Sequence, residues 1–209
     1  MESEWVKRIQ KIANEQKMPE AGRILGERIR WTEKMREAAR LWKRVYENDA
    51  PWLEGGRVKG MNLLPVISGE VARLAVLEMG WRVEGSDRAA FLNRQIGPVR
   101  HRLRRYLEYA VGKGGLVLKP YLVQEEIQVE MVQPDGFIPL ETGPDGQIIG
   151  AVFTESLWRD KRFFTRLEEH RMTDKGVLVL NRAFVSNTAG LLGEEISLGD
   201  IGEWAQLAP

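Results

Sequence analysis

The sequence contains no cysteine and only two histidines among its 209 residues. The first absence excludes disulfides, thiolate-bound zinc, iron–sulfur clusters and a cysteine nucleophile, and it agrees with assembly in a reducing cytoplasm. The second leaves few candidates for imidazole-based chemistry. No stretch comes near the ~20 consecutive apolar residues that a membrane span needs. Residues 1–16 alternate charged and apolar side chains, so they lack the continuous apolar core of a signal peptide. An excess of one charge is missing too: 31 lysines and arginines face 30 acidic residues, so any contact with nucleic acid has to come from local clustering. Together these features predict a soluble chain that is intracellular when made.

What is present is ordinary globular material. Apolar residues make up 43% and charged residues 29%, which is far from the composition of a disordered chain and predicts a folded unit with two composition zones. The first zone reads as helices. Trp5, Ile9 and Ile12 step by four and three, as do Trp31, Met35, Ala38, Trp42 and Val45, and Asn48-Asp49-Ala50-Pro51 stops the second of these runs. Asn62 is positioned to cap a third helix that reaches about Met79 and carries Pro65 in its first turn. That helix is apolar on most faces, which predicts a central position. Glu70 and Arg73 lie three apart on it, within reach of each other or of a neighbouring subunit. A fourth segment carries Leu92, Ile96, Val99, Leu103, Tyr106 and Ala110 in helical register. Gly97-Pro98 predicts a kink or two abutting helices within it, and Gly112 is expected to end it.

From Leu116 the periodicity changes to two. One strand is expected to open at Leu116-Val117-Leu118 and others to lie at 127–132, 147–155, 162–172 and 177–186, separated by turn signals such as Pro134-Asp135-Gly136 and Gly143-Pro144-Asp145-Gly146. Successive strands joined by short turns pair antiparallel. The expected fold is therefore α+β, with a helical part over 1–115 and an antiparallel β part over 116–209. The tail from Leu191 to Pro209 shows no sign of closing a domain, which predicts a fragment of a longer protein.

Chemistry-bearing motifs are sparse. Val111-Gly112-Lys113-Gly114-Gly115 has the composition of a phosphate loop but follows a helix and opens a strand, the reverse of what helix N-terminal binding of phosphate needs, so it reads as a turn. Glu168 and His170 share a strand face while Glu169 points to the other, a pairing that reads as a surface feature more readily than as the acid–base pair of a hydrolase. His101 sits among arginines, which disfavours its protonated form. Arg94, Arg100, Arg102, Arg104 and Arg105 form the densest basic cluster, spread over a wide arc of one helix. Such a surface suits phosphates without sequence preference, and its plainer reading is a solvated face or a contact with an acidic neighbour. No residue set points to a cofactor or a metal.

Several segments taken in order resemble the portal (minor capsid) family of tailed bacteriophages of Gram-positive hosts. They are Leu41 to Tyr46 followed by Ala50-Pro51-Trp52-Leu53, Met61-Asn62-Leu63, Glu70 to Ala75, Ala110 to Tyr121, Phe137-Ile138-Pro139, Ala151-Val152-Phe153, Phe164 to His170 and Asn181 to Phe184. The resemblance implies a structural subunit of a closed ring, typically of about twelve copies, at the capsid vertex through which duplex DNA passes. It implies as partners the packaging terminase, the major capsid or scaffold proteins and the head-to-tail connector, and a location in the virion after assembly in the host cytoplasm. Family members continue beyond position 209 into stem and clip, so this chain would supply mainly the wing. The family brings no catalytic residues, since ATP hydrolysis belongs to the terminase, and the chain is expected not to be an enzyme. Trp52, Trp158 and Trp204 are candidate anchors for subunit contacts, although the plainer reading of each is a core or rim position. The main alternative is a nucleic-acid-binding module using the helix over 94–105.

Overall fold

A computed structural model describes residues 32–56, 58–188 and 192–207, so the expected helix around Trp5, Ile9 and Ile12, and Trp31 itself, lie outside the described residues. The described elements run helices first and strands after: α1 (Glu33–Tyr46), α2 (Leu63–Glu78), α3 (Ala89–Lys113), then β1 (Val117–Val123), β2 (Glu126–Val132), β3 (Phe137–Thr142), β4 (Ile148–Arg159), β5 (Arg162–Thr173), β6 (Gly176–Ser186) and the short β7 (Glu194–Ile196). The fold is α+β, with helices preceding antiparallel strands, as the change of periodicity at Leu116 predicts. The chain divides into two compact units, one spanning Glu37–Asp135 and the other including Gly136–Pro209. The hairpin β1–β2 thus belongs with the helices.

In the helical unit the three helices meet at Gly112. A Cβ there would lie 2.6 Å from Tyr46 Cδ2 of α1 and 3.0 Å from Ser68 Oγ of α2, so only glycine permits this approach. The sequence expectation that Gly112 ends the helix is off by two residues: α3 runs to Lys113, and Gly114, with φ +89°, caps it by donating its N–H to Ala110 O at 2.9 Å. A Cβ on Gly114 would overlap the Trp42 ring. Nor does Gly97-Pro98 split the helix, since α3 is one run of 25 residues. Asn93 ties the loop before it to its first turns, accepting from Val83 N at 2.9 Å and donating to Val83 O and Ala89 O.

Helix α2 is not central. Only Ser68 and Ala72 on it are buried, while Leu63, Val66, Ile67, Val71, Leu74 and Leu77 are exposed. Small residues take the close helix contact and the large ones are left outside. Asn62 does occupy the N-cap position, but in the left-handed region at φ 50° and without a capping hydrogen bond from its side chain.

In the second unit β3 to β7 form an antiparallel sheet in sequence order, each strand beside its predecessor. Alternation puts Leu140, Val152, Leu167 and Phe184 in one core cluster, which Leu192 joins, and Phe164 and Ala183 in another, which Leu198, Ile201 and Trp204 of the tail complete. Leu167 and Phe164 are an odd number of strand positions apart, so the clusters lie on opposite faces. The tail does close this unit, contrary to expectation: Trp204 is 1% exposed. The sheet margins differ. β3 carries Pro139 and two register shifts, whereas β6 meets β7 only at Ala183, Phe184 and Val185 and has no outer neighbour along 176–182 among the described residues.

Gly112→Ala is expected to cost about 1–3 kcal/mol, the usual range for overpacking a tight contact. Urea denaturation, followed by circular dichroism, reads this as a lower midpoint.

Candidate functional site

The chain presents two places where polar groups gather, one in each unit. In the helical unit the five arginines of the basic cluster all lie on α3 and are all exposed. They are not equally free. Arg102 reaches the backbone of β2, donating to Val129 O at 3.4 Å. Arg105 donates to the Tyr109 hydroxyl at 2.9 Å and lies 5.8 Å from the centre of that ring. Arg104 adds to the positive field at Glu70. Arg94 and Arg100 have no hydrogen-bond partner among the described residues. Arg94 lines a cleft of about 280 Å³ with Gln95, Pro98 and Val99 of α3 and Glu126, Ile127 and Gln128 of β2. Gln95 Oε1 fixes one wall by accepting from Ile127 N at 3.1 Å. His101 is an exposed member of the same helix.

The last turn of α3 holds a buried lysine that sequence reasoning passed over as part of a false phosphate loop. Lys113 is 8% exposed. Its Nζ donates to Gln133 Oε1 at 2.9 Å, lies 3.5 Å from Glu47 Oε1 and sits 5.0 and 5.2 Å from the ring centres of Tyr46 and Tyr109. Such a cage surrounds the buried ammonium with an amide oxygen, a carboxylate and two ring faces, the contacts that offset the loss of water around a cation. The Tyr46 hydroxyl donates to Glu108 Oε1 at 2.6 Å. Burial, with that carboxylate, pushes the phenol far above its ordinary value, so it holds its proton.

In the sheet unit Glu168 and His170 do share a face, with His170 Nε2 and Glu168 Oε1 2.5 Å apart. The centre of this group is Arg166, which the sequence reading missed. Its guanidinium donates to Glu155 Oε2 at 2.9 Å, Glu168 Oε2 at 2.7 Å and Asn181 Oδ1 at 2.8 Å. The Trp204 indole N–H reaches Glu155 Oε2 at 3.2 Å, and Phe153 packs edge-on to the His170 ring at 5.1 Å. Period-two alternation was enough to group Arg166 with Glu168 and His170; the cross-strand partners Glu155 and Asn181 need the register of β4 and β6. Glu168 thus has its oxygens engaged by a cation and an imidazole. No hydroxyl or other nucleophile is among the partners of His170 described above. Glu169 faces the opposite core, 2% exposed, with Oε1 2.9 Å from Arg171 Nη2. Among the described residues no group of three or more histidines or carboxylates is placed to hold a metal ion.

Of the three tryptophans considered as anchors, Trp52 and Trp158 are exposed, and Trp158 packs on Phe163 at 4.3 Å. Trp204 belongs to the core, because its indole finds both an apolar pocket and a carboxylate acceptor there.

Arg166→Met is expected to destabilise the sheet unit by about 2–4 kcal/mol, since it leaves two carboxylates without their cation. His170→Gln should cost less than about 1 kcal/mol, because it removes only an outer partner of Glu168. Thermal unfolding of both variants checks the order. No family model, no curated protein and no solved structure matches the chain.

Proposed function

We propose that this chain is a structural subunit of a tailed-phage portal ring, contributing to its wing and acting through assembly surfaces. The ordered segments from Leu41 to Phe184 support the family. The observation that carries the assembly role is the open margin of β6. Val177, Leu178, Val179 and Leu180 are four successive apolar β-formers, all exposed, on a strand whose outer backbone groups have no partner strand among the described residues. Natural sheets guard such margins with proline, charge or bulges. β3 is guarded in that way and β6 is not, which suits a margin covered by a neighbour in the assembled particle. The duplex passing through the ring, the terminase, the capsid or scaffold proteins and the connector are the partners this reading carries. Negative-stain imaging of the whole gene product is expected to show closed rings; a uniformly monomeric product would overturn the proposal.

A second reading, a nucleic-acid-binding module, is favoured by the five exposed arginines of α3, of which Arg94 and Arg100 are unpartnered among the described residues. It predicts filter binding to duplex DNA at low salt, with an affinity that falls steeply as salt rises. Replacing Arg94, Arg100 and Arg104 by alanine should flatten that slope by about three phosphate contacts' worth. Absence of binding at low salt removes this reading.

A further inference from the structure

The outer face of α2 combines two features that each call for a partner. Its six large apolar side chains form a stripe running from Leu63 to Leu77, about 21 Å long at the helical rise. Leu77 is 71% exposed and Val66 68%, and the other four are about half exposed. Together they expose on the order of 600 Å², the top of the range for the largest patch on an ordinary monomer. That is most of the roughly 800 Å² each partner buries in a stable pair. The second feature is a bidentate ion pair set in this stripe: Arg73 Nε and Nη2 donate to the two oxygens of Glu70 at 2.9 and 2.7 Å. The 100° step of the helix puts Glu70 between Leu63, Leu74 and Leu77 and puts Arg73 at the margin.

We infer that α2 pairs with α2 of a second copy of this chain, antiparallel about a two-fold axis, with Glu70 of each copy against Arg73 of the other. The face is complementary to itself in both respects. An axis between positions 71 and 72 sets Glu70 across from Arg73, and the same register sets Val66 across from Leu77. Reversal of direction brings each carboxylate next to a second guanidinium, so four alternating charges close into a ring within an apolar surround. As an exposed pair on one helix, Glu70 and Arg73 contribute little. Enclosed between two copies they would fix direction and register, because any parallel or shifted arrangement leaves a buried charge unmatched. A two-fold contact joins copies in pairs and is not a step in closing a cyclic ring. The inference therefore stands apart from the portal reading.

Sedimentation equilibrium of the chain over a wide concentration range tests this. The unaltered chain is expected to be a dimer, and Leu74→Glu a monomer with an unchanged circular dichroism spectrum. Glu70→Arg and Arg73→Glu, each alone, should weaken pairing by about tenfold or more through like-charge contact. Mixed in equal amounts, these two variants should pair with each other, since one then presents a positive face and the other a negative one. This rescue needs both variants folded and needs the opposed register. A chain that stays monomeric at every concentration, a dimer that persists in Leu74→Glu, or a mixture that fails to recover pairing would each overturn the inference. Rings seen by imaging would be unaffected by any of these results.

Discussion

The helical unit depends on how closely α3 lies against α1 and α2 at Gly112. With a hydrogen in place of a side chain, the backbone of α3 comes within contact of Tyr46 and Ser68. That approach delivers the next residue, Lys113, between the rings of Tyr46 and Tyr109. Its ammonium then reaches Gln133, just beyond the end of β2, while Gly114 turns the chain towards β1. One close contact therefore closes the base of the β1–β2 hairpin as well as the helix packing. Lys43 adds a second tie at 2.6 Å to Asp135, close to the same base. The segment with the look of a phosphate loop earns its glycines and lysine through packing.

Periodicity carries much of this fold because it reports burial along one element at a time. The 4-3 steps of α3 are legible because they turn Leu92, Ile96, Val99, Leu103, Tyr106 and Ala110 inward within its own unit, and the alternation of β4 to β6 is legible because successive side chains go to opposite faces of the sheet. Helix α2 shows where that logic stops. Apolar content predicts that a helix seeks cover, without saying where the cover comes from, and the large residues of α2 lie outside while Ser68 and Ala72 lie inside. Helix ends were legible to within about two residues, the usual uncertainty of termini. Trp204 takes its core position from packing with Phe164 and Ala183 of the sheet, a long-range contact that no local pattern encodes.

The candidate sites divide in the same way. Grouping Glu168 with His170 and separating Glu169 needed only the alternation of side chains along a strand. Recognising Arg166 as the centre needed β4 and β6, whose Glu155 and Asn181 come from 11 residues before it and 15 after. The result is a polar cluster whose charges are matched internally, set on a sheet face beside an apolar cluster that includes Trp204. Such a group specifies register as much as it adds stability, because a one-residue slip would turn Arg166 away from its acceptors.

The unequal margins of the sheet have a consequence for how far any growth can go. A strand added along residues 176–182 of β6 meets the end of β7 at Ala183, which fixes its length at about seven residues. If the added strand is the β6 of another copy, both open margins are used up at once, and the outermost strands of the joined sheet are the two copies of β3. Each of these presents Pro139 and a distorted ladder to the solvent. The joined sheet is then finite by construction: it has a terminus on either side and no means of running on into a fibre.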